Sequence, residues 1–185
     1  TPWVMLRELA EMEVPWWDVH IIQVDERAAP DGHADRNLTH LRESLSSCPL
    51  PAANIHPMPV IDANLDAVAA RYASEIHALL GPDGALDLCH LGLGPDGHTA
   101  SLVPGDPVLE VADRDVAITG LYQGRRRMTL TYPIINRSHA LLFVVTGTNK
   151  RDALSKLRVS DPTIPAGRIP LQRATILADA DAAER

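Results

Sequence analysis

Aromatic side chains are scarce, at 4% of the 185 residues with a single Phe. A buried core must therefore be mostly aliphatic, and the 45% hydrophobic content can build one from Leu, Ile, Val and Ala. Cysteine is scarcer still. Cys48 and Cys89 stand in unrelated contexts with no Cys-x-x-Cys, which excludes a disulfide framework and predicts a reduced, cytoplasmic protein. No apolar run approaches the ~20 residues that a membrane-spanning helix needs, and no secretory leader pattern is visible.

Positive charge is in deficit. Lys and Arg number 17 against 24 Asp and Glu, a formal net charge of -7. That argues against broad nucleic-acid binding, which needs a basic surface to displace counterions. A small anionic ligand would instead need a local basic pocket. Metal-ligand spacing is also lacking: His33 and His40, like His90 and His98, are too far apart to share an i, i+4 face. No Gly-x-Ser-x-Gly nucleophile elbow occurs.

What is present suits one domain over residues 1–185. Thr1-Pro2 suits a helix N-cap with Pro at the first helical position, and the helix runs on to Met12. Val19 to Val24 is a β-branched run stopping at Asp25-Glu26-Arg27, which predicts a buried parallel strand with functional groups at its carboxyl end. Helices are expected over His33 to Leu45 and over Asn64 to Leu80, the second with Leu65, Val68, Ala69, Tyr72, Ile76 and Leu79 on one face. Leu86 to Leu91 is a second strand, running into Gly92-Leu93-Gly94-Pro95-Asp96-Gly97-His98. Further strands are expected at 115–119, 128–131, 140–145 and 175–177, with a helix over Lys150 to Leu157 and a helical turn opening at Pro133.

This alternation predicts an α/β fold: an open, mostly parallel sheet with helices on both faces, Rossmann-like. Ligands in such sheets bind beyond the carboxyl ends of the strands. The clusters Asp25–Arg27, Gly92–His98 and Val145-Thr146-Gly147 leading to Lys150 all lie at such ends.

Gly92 to Gly97 matches G-x-G-x-x-G after a strand, which by itself suggests a dinucleotide loop. Pro95, however, removes one N–H from any phosphate cradle. The alternatives are a turn that presents Asp96 and His98 for catalysis, or a purely structural turn. His98 can take a proton from water near neutrality, or it can simply cap a following helix. Alternation along a strand puts Asp25 and Arg27 on one side and Glu26 on the other. Arg27 can fork onto a phosphate or form a surface ion pair. Lys150 lies near a helix N-terminus, a position that favours anions, or is a solvated lysine. Arg125-Arg126-Arg127 is expected to be a solvated loop.

Taken together, Val24-Asp25-Glu26-Arg27-Ala28-Ala29-Pro30 with Arg36-Asn37-Leu38, and above all Leu91-Gly92-Leu93-Gly94-Pro95-Asp96-Gly97-His98-Thr99-Ala100-Ser101-Leu102-Val103-Pro104, resemble the 6-phosphogluconolactonase family. Ile55-His56-Pro57-Met58, Met128 to Asn136 and Val145 to Lys150 are similar to its other blocks. The resemblance implies hydrolysis of 6-phospho-D-glucono-1,5-lactone in the pentose phosphate pathway, with His98 as general base and Asp96 supporting it. Arg27 and Lys150 would hold the phosphate, Asp25 and Asn37 would order the site, Gly94 would line the substrate, and Arg168 is a further phosphate candidate. No metal or cofactor is implied, and the expected ligand is a small sugar phosphate lactone bound by a monomer.

The family also carries an upstream strand and a Gly-Gly-Ser-Thr-Pro-type phosphate loop, of which only Thr1-Pro2 is present, so the N-terminal strand is expected to be missing. Related glucosamine-6-phosphate deaminases continue the Asp-Gly-His loop into Phe-Asn-Glu, whereas this chain has Ser101-Leu102-Val103. A sugar-phosphate binding module without catalysis is the other alternative.

Overall fold

The computed structural model describes residues 2–81 and 83–184. The expected Thr1 cap therefore lies outside the described residues. The chain forms α1 (Pro2–Ala10), β1 (Ile21–Ile22), β2 (Asp25–Arg27), α2 (Asn37–Ser44), β3 (Ile55–His56), α3 (Leu65–Leu79) and β4 (Leu88–Leu91). It continues through β5 (Val116–Ile118), β6 (Arg127–Leu130), α4 (Tyr132–Arg137), β7 (Ala140–Val145), α5 (Arg151–Arg158), β8 (Ala174–Ala178) and α6 (Ala180–Ala183).

The parallel sheet expected from the sequence is present as β4-β7-β8, with β1 and β3 forming a separate parallel pair. Helices flank these strands. The antiparallel sheet β2-β6-β5 departs from the expected strand at Val19–Val24, because the chain changes partners there. Ile21 and Ile22 pair with β3, whereas the Val24 carbonyl accepts from Leu130 N at 2.8 Å. Asp25–Arg27 is thus a strand in its own right rather than the tail of one.

Helix α2 starts four residues later than its hydrophobic pattern suggested, at Asn37. The Glu26 carboxylate explains the start: it accepts from Asn37 N and Leu38 N, both at 2.8 Å, satisfying N–H groups that a helix leaves unpaired. Asn64 caps α3 through its side chain, which accepts from Ala67 N. Of the apolar stripe on α3, Val68, Ala69, Tyr72 and Ile76 are buried, but Leu79 at the last turn is exposed. A short 3-10 turn, Thr148–Lys150, precedes α5 and takes Lys150 off the helix proper.

The main core lies between these layers, and two of the few aromatics, Tyr72 and Phe143, are fully buried in it among Leu, Ile and Val. A smaller cluster packs Trp16 and Ala10 against Leu38, Leu41 and Leu45 of the α2 region. Strands β1 and β4 belong to different sheets. Residues 21–24 and 86–90 line one cavity of about 1200 Å³ together with Asp25, Arg27, Gly92 and Val145 from the strand ends.

Asp115, just before β5, ties α3 and α4 to this sheet. It accepts from Arg137 Nη1 at 2.6 Å, from Arg137 Nη2 and from the His77 ring at 2.5 Å. Burial pushes its carboxyl up, but these hydrogen bonds outweigh burial and hold it below the ordinary value. A lowered folded-state pKa contributes stability above the unfolded value and loses it as pH falls through the folded one. Asp115→Asn should therefore cost about 2 kcal/mol near neutrality, and denaturant titrations should show the gap to the parent closing below the ordinary Asp range.

Candidate functional site

The loop after β4 is shaped by its glycines. Gly94 N donates to the His98 carbonyl at 2.8 Å and Gly97 N to the Gly94 carbonyl at 3.0 Å, folding the loop onto itself. A Cβ at Gly94 would stand 2.1 Å from His98 Nδ1, and one at Gly97, whose φ is +82°, would stand 2.4 Å from Ile164 Cβ. No helix follows the loop; residues 99–102 close a tight turn through the Thr99–Leu102 bridge. Without a helix N-terminus to meet a pyrophosphate, the dinucleotide reading fails. For the same reason His98 is not a helix cap.

The loop presents His98 with its partner. His98 Nδ1 lies 2.6 Å from Asp96 Oδ1, and the other Asp96 oxygen accepts from the Tyr122 hydroxyl at 3.0 Å. Burial raises the Asp96 pKa, but the His98 N–H, the imidazole charge and ring, and the Tyr122 hydroxyl outweigh it and keep the carboxyl below its ordinary value. An ionised Asp96 holds the proton on Nδ1 and leaves Nε2 as the free basic nitrogen. His98 lines the cavity.

A cationic clamp faces the same space. In the β2–β6 ladder Asp25 is opposite Thr129 and Arg27 is opposite Arg127, so these four share one face. Like charges directly opposite are unfavourable unless something anionic sits between them. Arg127 is only 4% exposed; burial and then the Arg27 charge both work against its protonated form. Its Nε has no protein partner. Arg27 Nη1 donates to the Asp35 carbonyl at 2.8 Å and to Asn37 Oδ1 at 2.9 Å, and Asn37 Nδ2 donates to Asp25 Oδ1 at 3.2 Å. Asp25 also accepts from Ser101 Oγ at 2.7 Å, and burial pushes its carboxyl up. Lys150 also lines the cavity, its pKa lowered by burial against the opposing pull of Asp96.

Glu26 points the other way, as alternation required. It is fully buried, ion-paired with Arg36 at 3.0 Å and bonded to the N–H groups of Arg27, Asn37 and Leu38.

The fold therefore brings Asp25, Arg27, Asn37, Gly94, His98 and Lys150 to one cavity, with Asp96 behind His98. Arg168 is not brought there: it pairs with Glu110 at 3.0 Å. The basic run at 125–127 is not the solvated loop expected from its composition, for Arg127 is buried in β6 and Arg125 pairs with Asp35 at 2.7 Å. Arg127, Tyr122 and Ser101 are the site residues that sequence reasoning missed. Period-two alternation through Arg127 and Thr129 was a usable signal for the first; nothing local marked the other two.

Fold and site together define an α/β protein whose cleft sets an imidazole–carboxylate pair beside a cationic clamp. The chain belongs to the family described as glucosamine-6-phosphate isomerases/6-phosphogluconolactonase, whose sequence profile matches residues 1–177. It is 39% identical over 162 residues to a 6-phosphogluconolactonase of Synechocystis sp., a match spanning 85% of this chain and 67% of that protein. The crystal structure of a 6-phosphogluconolactonase from Thermotoga maritima superposes with a TM-score of 0.85 at 29% identity, covering 96% of this chain and 80% of that one. A monomeric glucosamine-6-phosphate deaminase gives the same TM-score of 0.85 at 18% identity, covering 98% and 83%. That second likeness shows the fold alone.

Gly94→Ala should abolish the close approach of the loop to the imidazole. The expected result is a loss of about 10²-fold or more in turnover with an unchanged far-ultraviolet circular dichroism spectrum.

Proposed function

We propose that this chain hydrolyses 6-phospho-D-glucono-1,5-lactone to 6-phospho-D-gluconate, the lactone-opening step of the oxidative pentose phosphate pathway. The observation that carries this reading is the placement of His98, oriented by Asp96, in the same cavity as Arg27, Arg127 and Lys150. An ester carbonyl is already electrophilic, so a positioned base suffices and no covalent nucleophile is needed. The three cations bind the phosphoryl group and leave the lactone ring over the imidazole. His98 Nε2 takes a proton from water as the water oxygen attacks the carbonyl carbon. The tetrahedral oxyanion then collapses, the ring C–O bond breaks, and the imidazolium returns the proton to the departing ring oxygen. Asp96 stabilises the imidazolium while it exists and keeps it aimed.

The deaminase alternative is less well supported. Where those enzymes continue the Asp-Gly-His loop into Phe-Asn-Glu, this chain has Ser101-Leu102-Val103, all buried and without a carboxylate, and the Ser101 hydroxyl is spent on Asp25. As to setting, we take residues 1–185 to act as one domain, as a cytoplasmic monomer binding neither nucleic acid nor membrane. Both thiols are free, and among the described residues no helix is long and apolar enough to cross a membrane.

His98→Ala should reduce lactone hydrolysis to the buffer rate while 6-phosphogluconate still binds by calorimetry; parent-like turnover in that variant would sink the reading. A parent protein that binds 6-phosphogluconate but never exceeds the buffer rate would leave only the binding module. Arg127→Ala should raise KM by about 10- to 100-fold, with a smaller change in kcat.

A further inference from the structure

One side chain touches both halves of the site. Tyr122 donates its hydroxyl to Asp96 Oδ2 at 3.0 Å, and its oxygen lies 3.5 Å from His98 Nδ1. Its ring meets the His98 ring edge-on at 5.6 Å between centroids, and the Arg127 guanidinium lies 4.8 Å from the Tyr122 centroid. Cation–π and edge contacts of this kind have defined geometry.

The backbone around Tyr122 is equally constrained. Tyr122 N donates to the Arg125 carbonyl at 3.0 Å and Arg125 N to the Tyr122 carbonyl at 3.2 Å. Between them Gln123 and Gly124 have φ of 51° and 78°, the left-handed pair of a tight hairpin turn. Gln123 Oε1 also accepts from Arg127 Nη2 at 3.1 Å. The hairpin tip is thus tied to the clamp and to the base couple rather than left as a free loop.

We propose that Tyr122 is a positioning residue: it holds Asp96 in the orientation that aims His98, and it fixes that couple in register with Arg127. The proposal rests on the lactonase reading of the site and deepens it. With one Asp96 oxygen taken by the phenol, only Oδ1 is left for the imidazole, and the ring cannot swing without breaking two contacts. Burial, and then the hydrogen bond to Asp96, push the phenol pKa up, so it remains a donor across the working range.

The charged groups that bear on this couple are Lys150, whose field reaches Asp96, and Asp25 and Arg27, whose fields reach Arg127. All of them stay in place when only the phenol oxygen is removed. Loss of that donor leaves more of the Asp96 charge for the imidazole, which then keeps its proton to higher pH.

Tyr122→Phe tests this, because it retains the ring contacts and removes the hydroxyl. Its kcat at neutral pH should fall about 3- to 10-fold with KM nearly unchanged, and the acid limb of the kcat/KM profile should move to higher pH. Tyr122→Leu should add a rise in KM through Arg127. Leu121→Ala, at an exposed neighbour on the same hairpin, should match the parent. The His98 imidazole titration, followed by NMR and assigned with the His98→Ala spectrum, should move to higher pH in Tyr122→Phe. Kinetics and titration that superimpose on the parent, or a titration displaced to lower pH, would overturn the proposal. Absence of hydrolysis by the parent would overturn the lactonase reading instead, and the imidazole titration would still decide the role of Tyr122.

Discussion

Two guanidinium groups meet across the β2–β6 ladder, Arg27 opposite Arg127, on a surface that is largely closed to water. Repulsion at that spacing must be balanced by the surroundings, and much of the local structure does so. Asp25 lies on the same face and supplies negative charge felt by Arg127. Asn37 spans Asp25 and Arg27, and the Asp35 carbonyl takes a further Arg27 proton. Tyr122 lays its ring against Arg127. Burial and the Arg27 charge still work against the protonated form of Arg127, so the face remains short of negative charge.

Behind that face stands Glu26, and its role is of a different kind. A fully buried carboxylate is tolerated only when its oxygens are occupied. Here Arg36, Gln23 and three backbone N–H groups occupy them. The same bonds start α2 at Asn37 and so deliver Asn37 to the clamp. One strand, three residues long, therefore sends its first and last positions to the cavity and its middle position to the scaffold.

The chemical half of the site depends on close packing rather than charge. Gly94 leaves room for the imidazole where a methyl would not fit, and Ser101 ties the end of the loop to Asp25 and to Thr129 of β6. The loop after β4 and the strand pair β2–β6 are thereby locked together, which brings an imidazole from one sheet to guanidinium groups from another.

Much of this was legible in the chain. Hydrophobic periodicity located α3, β4 and β7 to within a few residues, because burial of an apolar face leaves a period in the sequence. The loop from Gly92 to His98 announced itself by residue type, and strand alternation alone separated Asp25 and Arg27 from Glu26. What the sequence by itself determined were properties carried by neighbours in the chain. Tertiary structure alone decided the partner exchange at Val24, the pairing of Arg127 with Arg27, the hydroxyl of Tyr122 on Asp96 and the diversion of Arg168 to Glu110. Those contacts join residues 26 to 106 positions apart or are set by the register of an antiparallel ladder, and no local pattern encodes which of several similar side chains will meet once the chain has closed on itself.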